Sequence, residues 1–284
     1  MLGAMPDRLL LTLDSLRWDV FCAADAPRLK ALGDWKRAHA QATYTFPAHM
    51  SYFAGKLPQT LDGADHTDAV AIRFDERGRA TRAKELWRLE NPEAPRPAEV
   101  TLRGANIIEG FAEAGAVTIG TGAMSWFNPA LAPGRVLTGA FEHYRFFDGP
   151  DHASHRSGEL QRDWLLEMLD RSAGRERFVF WNVGETHYRF EYAGCPWQGE
   201  RGCYGDRALS LERQRLCLEH VDPIIGEVID RLGDDAELVL MADHGECLGE
   251  DGLWGHGFAH PMVMRVPMLV RPARSVLAGN ADAA

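Results

Sequence analysis

The sequence contains few cysteines, few basic residues and no long apolar run. Its 284 residues include five cysteines, which are scattered without the spacing of a disulfide framework and so favour a reducing compartment. No stretch approaches the roughly 20 apolar residues of a membrane span, and the amino terminus shows no apolar region of an export signal. We therefore expect a cytoplasmic protein that has no membrane partner.

The charge balance argues against nucleic acid as a partner. Asp and Glu number 41 against 31 Lys and Arg, which gives a formal net charge of −10. No basic patch interleaved with aromatic residues is visible, and an acidic surface repels polyanions. The sequence therefore favours a small ligand over a nucleic acid.

Several common catalytic motifs are also absent. The sequence has no P-loop, no Gly-x-Ser-x-Gly elbow and no His-Glu-x-x-His phrase. Cys195 and Cys203 do not have the spacing of a known metal finger, and we interpret the segment between them as a Gly-rich loop beside a site. The cluster of Asp151, His152 and His155 is a weaker alternative metal site.

Apolar runs alternate with helical patterns along the chain. Buried strands are predicted at Arg8–Leu13, 116–120, 178–183, 237–241 and 266–270, and helices at 106–115 and 209–232. This alternation predicts one α/β domain over residues 1–284, with a mainly parallel central sheet between helices. Insertions are expected near 57–105, 122–157 and 188–207.

The most informative segment joins a buried strand to an acidic residue and an imidazole. Asp243 and His244 follow the strand predicted at 237–241. In open α/β sheets ligands bind beyond the carboxyl ends of the strands, and a carboxylate beside an imidazole suits a divalent metal. The glycines that follow allow the backbone to approach an anion closely.

Two earlier segments carry a related signal. The strand Arg8–Leu13 ends at Asp14, which is either a metal ligand or a helix cap. A Thr-Phe-Pro-Ala-His segment begins at Thr45, and Pro47 suits the first turn of a helix. Thr45 would then lie at a helix N-terminus, which attracts phosphate. It is either a metal-activated nucleophile or an ordinary residue of a capping turn, with Thr43 as the alternative hydroxyl.

Together these segments resemble the metal site of the sulfatase and alkaline phosphatase superfamily. The Thr45 segment looks like the nucleophile segment of the nucleotide pyrophosphatase and phosphodiesterase branch. The resemblance implies an alkaline-phosphatase-like core without the carboxyl-terminal subdomain of sulfatases, and substrate contacts from His187 and His256. The metal ligands that it implies are Asp14, Thr45, Asp243 and His244.

Departures from the sulfatase pattern narrow the prediction. Thr45 stands where sulfatases have the Cys or Ser that becomes formylglycine, and the lysine expected after the strand at 116–120 is missing. The Asp-x-x-x-His phrase of two-metal relatives is absent near His187. We therefore expect one divalent ion, with Zn²⁺ or Mn²⁺ favoured over Ca²⁺ or Mg²⁺. His260 is either a further ligand or a surface residue.

The leading hypothesis is a metal-dependent hydrolase of small phosphate monoesters or diesters. Thr45 would attack phosphorus, while His187 and His256 would offset charge on the phosphate oxygens. One alternative is a sulfatase or phosphonate ester hydrolase that works without formylglycine. Another is a metal-binding pathway protein without catalysis. The expected partner is a small anionic ester, and the oligomeric state is left open.

Overall fold

A seven-stranded sheet forms the centre of the structure, a computed structural model that describes residues 6–55, 106–147, 156–200 and 202–274. The strands of this sheet are β1 (Arg8–Leu13), β2 (Lys36–His39), β3 (Val117–Gly122), β4 (His143–Phe146), β5 (Arg177–Val183), β6 (Glu237–Ala242) and β9 (Arg265–Arg271). A separate hairpin is formed by β7 (Cys247–Leu248) and β8 (Trp254–Gly255).

Eight α-helices accompany the strands within the described ranges. They are α1 (Trp18–Ala23), α2 (Pro27–Lys30), α3 (Thr45–Ala54), α4 (Ile107–Glu113), α5 (Ala132–Thr138), α6 (Ser157–Arg171), α7 (Arg207–Leu232) and α8 (Pro261–Met264). Short 3₁₀ turns lie at Ser125–Phe127 and Glu250–Gly252.

The sheet is mainly parallel, as predicted. Its order is β2-β9-β6-β1-β5-β3-β4, and the five strands from β6 to β4 run parallel to one another. Strand β9 runs antiparallel to β6, and β2 runs antiparallel to β9. The predicted α/β fold class with a mainly parallel central sheet is therefore confirmed.

Helices pack on both faces of the sheet because side chains of a strand alternate in direction. On β1, Leu9 and Leu11 belong to an apolar cluster that includes Val221 and Ile225 of α7. Leu10 belongs to the opposite cluster, which includes aromatic and Met side chains of α3. The continuous apolar run of β1 thus reflects burial on two faces.

The register of the central strands determines where the site lies. Leu13 at the end of β1 pairs with Val183 on one side and with Ala242 on the other. The residues that follow these three positions therefore leave the sheet at one level. Asp14 and Asp243 are the first residues beyond β1 and β6.

Predicted and observed elements differ mainly at the sheet edges. The strands predicted at 116–120 and 178–183 correspond to β3 and β5, with ends displaced by one or two residues. Strands β2 and β4 were not predicted because they are short, lie at the two edges and carry several polar residues.

Some sequence predictions fall outside the described residues. The expected insertion at 57–105 and the cluster of Asp151, His152 and His155 are among them. The stretch 122–157 includes β4 and α5, while residues 148–155 of it are not described. Across the described ranges, no helix combines the length and the apolar character that a membrane crossing requires.

Candidate active site

Three potential ligands converge beyond the carboxyl ends of β1 and β6. Asp14, Asp243 and His244 are fully buried, and each offers one ligand atom within 4.8 Å of the others. The parallel register of the two strands explains the convergence, because both chains leave the sheet at the same level. Residues far apart in the sequence thus meet where the strand-end argument predicted.

The two carboxylate oxygens of Asp243 have different surroundings. Oδ1 accepts hydrogen bonds from the backbone N–H groups of Ser15 (3.1 Å) and His244 (2.9 Å). Oδ2 is buried and has no hydrogen-bond partner within the described part of the chain. Burial raises the pKa of Asp243 to about 6. A buried oxygen without a donor is an unfavourable arrangement that a cation would relieve.

His244 presents a nitrogen lone pair to the same point. Its Nδ1 lies 2.9 Å from the carbonyl oxygen of Gly245, which can only accept, so Nδ1 carries the proton. The acceptor nitrogen is then Nε2, which lies 3.5 Å from Asp243 Oδ2 and 3.8 Å from Asp14 Oδ1. Burial lowers the pKa of His244 to about 4, so the ring is neutral at pH 7.

Asp14 links the ligand group to the hydroxyl of Thr45. Its Oδ2 accepts a hydrogen bond of 3.2 Å from Thr45 Oγ1, and its Oδ1 accepts one of 3.1 Å from Ser15 Oγ. Burial raises the pKa of Asp14, and the neighbouring charge of Asp243 adds to the rise. Two carboxylates and a neutral imidazole in a buried cluster match the donor set of a divalent metal site.

Thr45 is the first residue of α3, and its side chain is buried. Its Oγ1 lies 3.4 Å from His244 Nε2 as well as near Asp14. The backbone N–H groups at a helix start lack partners within the helix and favour an anion. The hydroxyl therefore lies between the potential metal ligands and a position suited to phosphate.

His49 fastens α3 to the sheet, a role that sequence reasoning missed. Its Nδ1 donates to the carbonyl oxygen of Thr45 (2.7 Å), and its Nε2 accepts from Thr12 Oγ1 (2.9 Å). Burial lowers the pKa of His49 to about 3. The spacing of four residues from Thr45 was a usable signal, because such residues lie on one helix face.

Two further histidines lie beside the ligand group. His187 follows β5, and His256 follows β8. The ring centroid of His256 lies 4.4 Å from that of His244 and 5.4 Å from that of His187. The structure thus brings together all six residues that the sequence offered as site candidates.

His256 is paired with a buried glutamate that was not singled out from the sequence. Its Nδ1 lies 2.9 Å from Glu246 Oε2, and Tyr204 donates a hydrogen bond to the other oxygen of Glu246. Burial alone would raise the pKa of Glu246, but the charge of His256 and its hydrogen bond lower it to about 2. Burial would lower the pKa of His256, but the charge of Glu246 outweighs it and raises that pKa.

A buried arginine fixes the loops around the site. Arg17, on the segment between β1 and α1, forms ion pairs with Asp19 (2.6 Å) and Glu250 (2.8 Å). It also donates to the carbonyl oxygen of Glu246 at 3.2 Å. Arg17 therefore links the segment that follows β1 to the segment that follows β6.

His260, Cys195 and Cys203 lie outside this cluster. His260 Nδ1 accepts a 3.1 Å hydrogen bond from the N–H of Met262 and caps α8. The metal-ligand group found among the described residues does not include it. Cys195 and Cys203 are buried free thiols.

The fold is similar to that of several solved enzyme domains. The periplasmic domain of phosphoethanolamine transferase EptC from Campylobacter jejuni matches with a TM-score of 0.63 at 12% identity, over 97% of this chain and 82% of that one. The corresponding domain from Escherichia coli, in complex with Zn, matches with a TM-score of 0.62 at 13% identity. The match covers 98% of this chain and 76% of that one. A phosphonate monoester hydrolase from Silicibacter pomeroyi matches with a TM-score of 0.64 at 15% identity. The match covers 94% of this chain and 68% of that one. No family model matches the chain, and no curated protein matches its sequence.

These comparisons contradict the prediction of a cytoplasmic location. Two of the similar structures are periplasmic domains. The prediction rested on the scattered cysteines, but four of the five are buried in the fold. Burial limits the oxidation of thiols in any compartment, so their number and spacing were a poor guide to location.

The chain has the fold of these enzyme domains, as its resemblance to the sulfatase and alkaline phosphatase superfamily implied.

Proposed function

We propose that the protein is a metal-dependent enzyme that hydrolyses small phosphate esters, with Thr45 as the nucleophile. The observation that carries the proposal is the position of the Thr45 hydroxyl. It lies within 3.4 Å of both Asp14 Oδ2 and His244 Nε2, at the start of a helix. A hydroxyl between metal ligands and the start of a helix is suited to attack an anionic ester.

The residues present fit one divalent ion. Asp14, Asp243 and His244 would hold it together with Thr45, and the unpartnered Oδ2 of Asp243 supports this assignment. When bound, the ion supplies Lewis-acid chemistry that lowers the pKa of a hydroxyl and offsets phosphate charge. The imidazole favours Zn²⁺ or Mn²⁺, and the similar domain from Escherichia coli is a complex with Zn.

The chain's own groups would act in sequence on the substrate. The Thr45 hydroxyl, oriented by its hydrogen bond to Asp14, attacks phosphorus, and the bond from phosphorus to the ester oxygen breaks. The proton of Thr45 ends on the leaving alcohol. The start of α3, His187 and His256 would donate to the non-bridging oxygens, where charge builds up. Water then cleaves the phosphothreonine and restores the hydroxyl.

Threonine chemistry favours phosphate over sulfate esters. Thr45 stands in the place of the Cys or Ser from which formylglycine is made, so formylglycine is not expected here. A sulfated threonine would be hard to hydrolyse. A phosphothreonine can be resolved by water in a metal site. The alternative of a sulfatase that works without formylglycine is therefore less favoured than phosphate or phosphonate ester hydrolysis.

A transferase is a second candidate. Two of the similar domains are phosphoethanolamine transferases, and this chain covers 82% and 76% of them. The first step would be the same, but an acceptor alcohol instead of water would remove the group from Thr45. Hydrolysis and transfer differ in the acceptor and not in the residues proposed above.

The deciding experiment compares esters on a metal-defined protein. Chelator-treated protein is reloaded with Zn²⁺ or Mn²⁺ and given para-nitrophenyl phosphate, its diester, its phosphonate ester and its sulfate. We expect the phosphorus esters to have the higher kcat/KM. Faster sulfate hydrolysis would contradict the proposal, and bound metal without turnover of any ester would favour a non-catalytic metal-binding protein. Slow release of para-nitrophenol that becomes faster when an alcohol is added would favour the transferase.

A further inference from the structure

The hairpin after β6 places Glu246 directly opposite His256. Cys247 pairs with Gly255 across the antiparallel strands β7 and β8, and Leu248 pairs with Trp254. Extending this register by one residue makes Glu246 and His256 the next cross-strand pair. Directly opposed side chains of an antiparallel pair are near enough to interact. The 2.9 Å contact between Glu246 Oε2 and His256 Nδ1 is the consequence.

The backbone around His256 does little to hold its ring. His256 lies between Gly255 (φ 90°) and Gly257 (φ 91°), both in the left-handed region, and β8 ends at Gly255. Glycine admits many backbone conformations, and the His256 side chain is 23% exposed. Its orientation therefore depends on the hydrogen bond that the side chain makes and on its contacts with the rings of His187 and His244.

Glu246, in contrast, is held through its side chain and its backbone carbonyl oxygen. Its side chain is fully buried, and Oε1 accepts a hydrogen bond from the Tyr204 hydroxyl. Its carbonyl oxygen accepts from the guanidinium of Arg17, which is 1% exposed. A buried carboxylate whose other oxygen and whose backbone are both hydrogen-bonded is a rigid acceptor for the imidazole.

The geometry points to Glu246 as a positioning residue that acts through His256. By accepting from Nδ1–H, it fixes the ring so that Nε2 faces the phosphate oxygens of the substrate, to which a ring protonated on both nitrogens donates from Nε2–H. Glu246 itself does not touch the substrate. A carboxylate that orients an imidazole through its second nitrogen is a general device of active sites. This inference rests on the function proposed above.

A double-mutant cycle on Zn²⁺-loaded, full-length protein tests the inference. Glu246→Ala should lower kcat/KM for the best ester by about 10- to 100-fold, and Glu246→Gln, which keeps an acceptor oxygen, should restore part of the loss. In a His256→Ala background, Glu246→Ala should have an effect of less than about twofold. If the losses of kcat/KM in the two single variants multiplied in the double variant, Glu246 would not act through His256, and the inference would be overturned.

A spectroscopic reading separates positioning from a loss of structure. In ¹⁵N-edited NMR spectra, the His256 Nδ1–H proton should be slow to exchange in the wild type, present in Glu246→Gln and absent in Glu246→Ala. Asp251→Asn is the matched control, because Asp251 lies in the turn of the same hairpin and contacts His260 instead of Arg17, Glu246 or His256. It should retain both the signal and kcat/KM. An unchanged Nδ1–H signal in Glu246→Ala would contradict the inference.

The NMR measurement also separates this inference from the proposed function. If the wild type turned over no ester, the proposed function would fail, and binding of inorganic phosphate by the Zn²⁺-loaded protein would replace kcat/KM in the cycle. Equal phosphate affinity in the wild type and in Glu246→Ala would then overturn the positioning role. The positioning role would be supported if Glu246→Ala weakened phosphate binding in the wild-type background but not in the His256→Ala background.

Discussion

Asp243 combines full burial with one oxygen that has no donor. In the metal-free protein this carboxyl retains its proton more strongly than in the unfolded chain, because burial raises its pKa from the ordinary 3.8 to about 6. Its contribution to the stability of the metal-free fold is therefore present below about pH 4 and is lost as the pH rises through 6. Metal binding requires the ionised form, so it competes with this proton.

Metal affinity should accordingly depend on pH. Below pH 6 the apparent affinity for Zn²⁺ should fall by about tenfold or more per pH unit, because Asp243 must release a proton. Above this pH the dependence from Asp243 should disappear. His244 adds little in this window, since its pKa is about 4. Competition titrations with a chelator from pH 5 to 8 measure the effect, and an affinity constant across that range would contradict the assignment.

Thr45 is the second residue on which the proposed function depends. Thr45→Ala should reduce kcat by at least about a thousandfold, because it removes the nucleophile. Thr45→Ser should retain partial activity, since it keeps the hydroxyl. Steady-state kinetics and elemental analysis of the same samples separate lost chemistry from lost metal.

Thr43→Ala is the matched control for these variants. Thr43 is a buried threonine two residues before Thr45, and its Oγ1 has no hydrogen-bond partner among the described residues. We expect near-normal kcat from this variant. Loss of turnover in Thr43→Ala together with normal kcat in Thr45→Ala would move the nucleophile to Thr43.

The strands and helices that carry the site were largely predictable from sequence. Continuous apolar runs predicted β1 and β6, and the carboxyl-end rule placed Asp14 and Asp243 at one edge. Pro47 predicted the helix that begins at Thr45. The hairpin of β7 and β8 was not predicted, because each strand has only two residues. Its register, and therefore the pairing of Glu246 with His256, required the structure.

The segment that follows β6 packs closely against α8, and this contact can be tested by substitution. A Cβ atom at Gly245 would lie 2.1 Å from the carbonyl oxygen of Met262, which is backbone and cannot rotate away. Gly245→Ala should therefore lower the free energy of unfolding by about 1–3 kcal/mol and weaken metal binding through His244. Urea denaturation of the metal-free protein and a chelator titration measure the two effects.

Gly110→Ala provides the contrast. Gly110 lies within α4, and a Cβ atom there would meet nothing within 4 Å. Alanine should raise the free energy of unfolding by up to about 1 kcal/mol through its helix propensity. If both substitutions lowered the free energy of unfolding by a similar amount, the contact of Gly245 with Met262 would not be the reason that Gly245→Ala is destabilising.

At the scale of the whole molecule, sequence patterns predicted the layers but not the topology. The order of the strands, the reversed direction of β9 and the polar edge strands depend on long-range pairing that a local pattern does not encode. The location was predicted wrongly, because composition says little about the compartment of a protein with buried thiols.

Metal binding should stabilise the entire fold, because its ligands lie on segments distant in the sequence. Zn²⁺ at about 100 times its dissociation constant should add about 2.7 kcal/mol to the free energy of unfolding. Asp243→Ala should lose most of this gain. Thermal unfolding with and without Zn²⁺ measures both quantities, and an equal shift in Tm for the variant and the wild type would contradict the ligand assignment.

The covalent state of Thr45 during turnover tests the proposed function most directly. Zn²⁺-loaded protein is mixed with a phosphate ester, quenched in acid while turnover continues, digested and sequenced by mass spectrometry. We expect one added phosphoryl group on Thr45 in the wild type and none in Thr45→Ala. Continuing turnover with phosphate on another residue, or with no phosphorylated residue at any quench time, would contradict a threonine nucleophile.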